Sequence, residues 1–206
     1  MQKLILIIIL ITISISAKFE KENKNNSKFN SGLKLGISLS KTQGNSESNV
    51  LHSKFGFETG VFSSYKINNI ISFQPELLFT QKGYIVKGDI TKSSYHYTFN
   101  YLQIPLLVSF KIVPKIKLYL GGYASYFINA WISASSVSSE TLKEKEKILE
   151  RTINNFNAGL ISGIVFKGNN NLLFDFRFER GLTTVYNIGS LDYYNQSFKV
   201  SIAWLF

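Results

Sequence analysis

The chain has 206 residues, 45% of them hydrophobic and 15% aromatic, with a formal net charge of +10 and no cysteine. That length fits one domain, stability in an oxidising compartment must come without disulfides, and no apolar run reaches the roughly 18 residues of a spanning helix. The basic residues are scattered singly and form no nucleic-acid module, so acidic headgroups or surface polysaccharide are the expected company of this charge, not nucleic acid.

Lys3, the apolar run Leu4 to Ile13 and the small residues Ser14-Ile15-Ser16-Ala17 read as a secretory signal over 1–17, cut after Ser16 or Ala17. Residues 18–32, rich in Lys, Asn and Glu and without hydrophobic period, read as a flexible periplasmic lead-in. Residues 33–206 then alternate apolar and polar positions, the period of strands with one greasy face.

Eight strands follow from that alternation. Leu33 to Ser40 is the first, and a polar loop, 41–53, separates it from Lys54 to Tyr65, in which Phe55, Phe57, Thr59 and Val61 oppose Gly56, Glu58 and Gly60. Lys66-Ile67-Asn68-Asn69 is a tight turn. Strand three, Ile70 to about Val86, and strand four, Tyr97 to Val113, flank the loop 87–96; Pro105 lacks a ladder donor, which predicts a bulge. After Pro114-Lys115, strand five, Lys117 to Ser133, alternates less cleanly because Tyr119, Tyr123, Phe127 and Trp131 take the face that is polar elsewhere. The longest loop, 135–152, carries Lys143-Glu144-Lys145-Glu146-Lys147, spaced for a short helix. Strand six, Asn154 to Lys167, turns at Gly168-Asn169-Asn170-Asn171 into strand seven, Leu172 to Arg180. A fourth loop, 184–194, leads to strand eight, Asn195 to Phe206.

The connections alternate long and short, the layout of an outer-membrane barrel with brief periplasmic turns and longer outer loops. The expected fold is therefore all-β: an eight-stranded antiparallel up-and-down transmembrane β-barrel in the bacterial outer membrane, both termini periplasmic. Side-chain volume assigns the faces. The lumen of eight strands is just filled by side chains, so Phe55, Phe57, Phe73, Phe174, Phe176, Phe178, Phe198 and Trp204 must face lipid, while Gly36, Gly56, Gly60, Gly121, Gly159 and Gly163 make room inside. Hydrocarbon also demands closure, last strand against first.

The lumen-facing set then contains Glu58, Glu76, Asp175 and Glu179 with Lys34, Lys82, Lys111, Arg177 and Lys199. Counting from the turns puts Glu58 near Glu76 and Glu179 near Lys199, with Arg177 the cation suited to bridging carboxylates. This reads as a structural ionic plug; a narrow, proton-sensitive conduit is the alternative. No cofactor or metal site is expected. His52 and His96, with Ser53 and Ser93-Ser94 nearby, are the only components of a Ser-His hydrolase, and both sit in expected outer loops without a G-x-S-x-G or H-E-x-x-H motif. Tyr84, Tyr95, Tyr97, Trp131, Tyr186, Tyr193 and Tyr194 fall near the outer rim, where an aromatic girdle is expected; carbohydrate binding is the second reading of them.

Four segments carry a family likeness: Gln74-Pro75-Glu76-Leu77-Leu78-Phe79 with Lys82-Gly83, Tyr101-Leu102-Gln103-Ile104-Pro105-Leu106-Leu107, Tyr119-Leu120-Gly121-Gly122-Tyr123-Ala124, and Arg180-Gly181-Leu182. In these the chain resembles the PorT-like outer-membrane β-barrel family of Bacteroidota. The resemblance implies a non-enzymatic eight-stranded barrel among outer-membrane lipids and lipopolysaccharide, inserted by the outer-membrane assembly machinery, which reads a terminal aromatic such as Phe206. It also implies, as the alternative to a structural or surface-interaction role, an accessory role beside secretion-system proteins.

Overall fold

A computed structural model describes residues 28–44, 51–87, 94–134, 139–169, 171–188 and 191–206. The expected signal segment and residues 18–27 of the lead-in lie outside these. In chain order the elements are β1 (Phe29–Gly44), β2 (Leu51–Lys66), β3 (Ile71–Lys87), β4 (Ser94–Val113), β5 (Ile116–Ala134), α1 (Ser139–Thr152), β6 (Phe156–Lys167), β7 (Leu172–Gly181), β8 (Tyr186–Ile188) and β9 (Leu191–Leu205). Strands β1 to β7 and β9 pair antiparallel in sequence order, and β9 pairs back onto β1 from Gly32↔Leu205 to Gly44↔Tyr193, closing a ring of eight. The three-residue β8 is a hairpin arm on β9 within the expected fourth loop. β1 begins at Phe29, inside the expected lead-in, because Phe29 already pairs with Tyr65.

The faces divide as volume requires. Leu35, Phe55 and Phe198 are 64%, 71% and 58% exposed on the outside, and Phe57–Phe79, Phe166–Phe176 and Phe178–Phe198 make ring contacts between neighbouring strands there. The residues between them in sequence are buried in the lumen: Lys34, Ser38, Glu58, Glu76, Gln103, Asp175, Arg177 and Lys199. Such strands satisfy their backbone in the ladder, the condition for crossing hydrocarbon.

Short turns keep adjacent strands in register. Asn68 Oδ1 accepts the N–H groups of Ile70 and Ile71. Asn171, at φ 64°, takes the left-handed conformation that closes the β6–β7 turn, with Gly168 N donating to Leu172 O.

Two local expectations change. Pro105 causes no bulge: β3 and β4 keep one register from Gln74↔Leu107 to Leu78↔Gln103, and the ladder omits the positions opposite Glu76 and Leu77. A donor is missing there, but no residue is inserted. Register shifts fall elsewhere: between Ser53 and Glu58 where β2 meets β3, beside the β4–β5 turn at Lys111 to Val113, and within β4–β5, where Asn100↔Asn129 steps to Tyr101↔Phe127 and leaves one extra residue on β5. Alternation inverts beyond that point, so Ala130 and Ile132 turn inward and Trp131 points outward, 45% exposed, contrary to its assignment to the lumen-facing row.

Strand length makes the outer rim uneven. β4 and β5 run 20 and 19 residues, β6 and β7 only 12 and 10, against the about 9–11 needed to span. β5 therefore outruns its neighbour, since its pairing with β6 ends at Tyr126↔Phe156. Helix α1 covers the bare edge: Ile132 N donates to Glu146 Oε1 at 2.7 Å and Ala130 N to Glu150 Oε1 at 3.2 Å. The basic and acidic run of the third loop is thus an edge cap, one of the ways a strand edge is kept from pairing elsewhere.

Candidate functional site

Alternation sends each charged residue of the inner face toward one axis, and strand register sets its depth. Four carboxylates, Glu58, Glu76, Asp175 and Glu179, meet four cations, Lys34, Lys82, Arg177 and Lys199, and every one of these side chains is almost wholly buried. The set is neutral.

The group nearer the turns is built on Arg177. Its Nη1 and Nη2 hold Glu76 Oε2 and Oε1, both at 2.9 Å, in the two-pronged geometry that suits a guanidinium. Nη2 also donates to Asp175 Oδ2 at 3.1 Å, and Nε donates to the Tyr119 hydroxyl at 2.9 Å. The Tyr119 hydroxyl in turn donates a hydrogen bond to Asp175 Oδ1. Lys34 Nζ closes the circuit on Glu76 Oε1 and Asp175 Oδ2 at 2.8 and 2.6 Å, and Gln74 Nε2 donates to Glu76. Nearer the middle, Lys199 Nζ joins Glu58 Oε2 at 2.8 Å and Glu179 Oε1 at 2.9 Å. Ser201 donates to Glu58, Gln103 to Glu179, and Lys82 Nζ stands 3.0 Å from Glu179 Oε2 and over the ring of Tyr123.

The glycines of β6 shape this packing. Gly163 lies opposite Tyr119 and Gly159 opposite Tyr123, and a Cβ on either would strike the tyrosine ring. The lumen room they leave is thus taken by tyrosines rather than by long charged chains. That arrangement explains why strand five carries tyrosines on an otherwise polar row.

All six residues expected in the cluster, Glu58, Glu76, Asp175, Arg177, Glu179 and Lys199, are brought together, and the Glu179–Lys199 contact is present. The expected Glu58–Glu76 neighbourhood is not: Glu58 pairs across to Thr80 and Glu76 to Phe62, so each carboxylate has its own cations, and Arg177 bridges Glu76 to Asp175 instead. Lys111 leaves the inner set, because it is exposed at the turn end of β4. Tyr119, Gln74 and Gln103 were missed as partners; their parity with Glu76 and Ser109 was the signal available. Gln74, Glu76, Lys82, Gln103, Tyr119 and Tyr123 also belong to the segments of family likeness, so those segments include much of the lumen lining along with outward wall residues such as Ile104, Leu106 and Leu120.

Above the ions the lumen is largely aromatic, with Thr42, Thr98, Asn100 and Asn195 buried beside the rings. Tyr84, Phe99, Tyr101, Phe127, Ala130, Ile153, Val185 and Tyr186 form one buried cluster, with Tyr97 stacked on Tyr84 at 4.7 Å and Tyr193 on Tyr186 at 4.8 Å. Tyr84 and Tyr186 therefore leave the expected girdle for an inner stopper, and the β8 hairpin is what swings Tyr186 inward. Tyr95 lies under Lys145 of α1, while Trp131 remains outside. His52 and His96 sit on strands rather than in loops, both paired with Ile85 from opposite sides. Among the described residues neither has a hydrogen-bonded serine or carboxylate.

The profile of the family described as "Outer membrane protein beta-barrel domain" matches residues 18–187. Among solved structures, Neisserial surface protein A (NspA) is similar at a TM-score of 0.52 and 15% identity, over 87% of this chain and 98% of that one. Ail, the attachment invasion locus protein of Yersinia pestis, solved with the heparin analogue sucrose octasulfate, gives 0.49 and 14% over 87% and 100%. OprG of Pseudomonas aeruginosa gives 0.40 and 10% over 86% and 94%. No curated protein matches the sequence. At such identities the likeness is one of fold.

Proposed function

Since the chain belongs to the outer membrane protein β-barrel domain family, and is therefore an outer-membrane β-barrel protein of a bacterium, we propose that it is a closed, non-conducting and non-enzymatic barrel that works through its outer end. One observation carries this reading: the lumen is crossed by a neutral eight-residue ionic lattice with an aromatic stopper above it. A conduit needs exchangeable ligands and continuous water. Here each charge is spent on another side chain.

Both termini and the short turns belong on the periplasmic side, as alternating connection lengths dictate in such barrels. Recognition then falls to α1 and the outer loops, amid lipids and lipopolysaccharide. Phe206, 55% exposed just past the closing strand, is the aromatic we propose for recognition by the assembly machinery. The PorT-like resemblance rests on lumen-lining and wall residues, which favours a barrel role over partnership with secretion proteins.

Planar-bilayer recording tests the proposal. Purified protein is expected to give no discrete conductance steps, and steady channel openings from the wild type would overturn the plugged reading.

A further inference from the structure

Among the described residues, the turn end of the barrel gathers lysines without acidic partners. Ser64, Ser109, Tyr119 and Val165 are buried in the lumen, and two residues beyond each, on the same rows, come Lys66, Lys111, Lys117 and Lys167. Lys111 pairs directly with Lys117, Lys66 N donates to Lys28 O, and Lys167 N donates to Lys115 O. Lys117 feels the charges of Lys66, Lys111 and Lys167 together. No Asp or Glu occurs in 59–75, 90–139 or 151–174, so these lysines have none nearby along their own strands and turns. Like charges placed opposite one another weaken a sheet. A collar of them costs stability unless something anionic sits among them.

The residues beside these lysines fix what that something is. Ile67, Ile70 and Ile112 are 57%, 60% and 59% exposed on the outer face of the same turns. Apolar side chains at that level sit in a leaflet, which puts the collar at the depth of headgroup phosphates. Lysine stems are long enough to carry the ammonium past a short turn of two to four residues toward them.

We infer that Lys66, Lys111, Lys117 and Lys167 form a collar that binds the phosphate of anionic phospholipid headgroups in the leaflet around the turn end. This goes beyond the plugged-barrel reading and holds whether or not the lumen conducts. It assigns four of the chain's lysines to one rim.

Native mass spectrometry of the purified protein with phosphatidylglycerol and phosphatidylcholine of equal chain length tests the collar. Each lysine at an anionic surface strengthens attachment about fivefold, so retention of phosphatidylglycerol over phosphatidylcholine is expected to be at least tenfold. In the variant K66Q/K111Q/K117Q/K167Q, whose folding is read from heat-modifiable migration, the ratio should fall to about one. Wild type without a preference, or a variant that keeps it, overturns the inference. So does displacement of the lipid by pyrophosphate alone, which would make the collar a site for free anions. If the variant does not fold, wild type decides: phosphatidylglycerol retention must drop as ammonium acetate rises from about 50 to 500 mM, and constant retention overturns the proposal.

Discussion

At Arg177 three acceptors converge on one guanidinium, and the cost of losing it is set by what stays behind. Arg177→Ala would leave Glu76 and Asp175 sharing Lys34 alone in the barrel interior, and breaking one partner out of a buried pair typically costs about 3–5 kcal/mol. Arg177→Lys should lose less stability than Ala yet fall short of wild type, because an ammonium cannot reproduce the paired bonds to Glu76. Urea unfolding in lipid vesicles measures both. Gly163→Ala is a sharper probe, since it leaves every charge in place and puts a Cβ against the Tyr119 ring and the Phe176 carbonyl. The expected result is a loss of about 1–3 kcal/mol by the same measurement, with a changed Tyr119 near-ultraviolet signal. An unaltered signal and stability would show that the tyrosine's position does not depend on that gap.

Among the elements, α1 has a definable task. Two of its glutamates, Glu146 and Glu150, supply acceptors to strand amides that no neighbour reaches, and a hydrogen bond to a charged group contributes about 1.5–3 kcal/mol. Glu146→Ala should therefore raise hydrogen exchange at the Ile132 amide by about tenfold or more, and Glu150→Ala should do the same at Ala130; unchanged exchange would mean that the helix merely rests there. The strands themselves were legible from alternation: Leu172 to Arg180 and Lys54 to Tyr65 differ from the observed β7 and β2 by one to three residues. What alternation cannot register is a change of phase. The extra residue of β5 after Phe127 moved Trp131 to the other side, and a proline that removes a donor looks the same in sequence whether the ladder bulges or simply skips a rung. The upper lumen is harder to read for a related reason: Phe99, Tyr101 and Phe127 obey the inner parity, but parity does not say that they gather with Val185 and Tyr186 into one cluster. Partnerships across the axis, such as Lys34 with Asp175, depend on register summed over several strands.

For the whole molecule, ring closure is the property from which the others descend. Because the chain has no cysteine, Leu35→Cys with Ile202→Cys makes a clean reporter of the β1–β9 seam, whose residues are directly paired. Oxidation of the double variant in membranes should give an intramolecular disulfide and a faster-migrating band, and failure to cross-link would mean an open or differently registered seam.

The lattice around Arg177 bears on how such a molecule comes into being. Lys34 and Asp175 are 141 residues apart along the chain, as are Glu58 and Lys199, so although Lys34–Glu76 and Lys199–Glu179 each pair within one half of the chain, the contacts that join the two halves of the lattice wait for β7 and β9 to meet β1 and β2. Non-local pairing of this kind is slow to form. Until the final hairpin arrives, the incomplete cylinder must keep its ions wet, which argues for a route in which the unfinished wall shelters a water-filled cleft and expels it in a single late step.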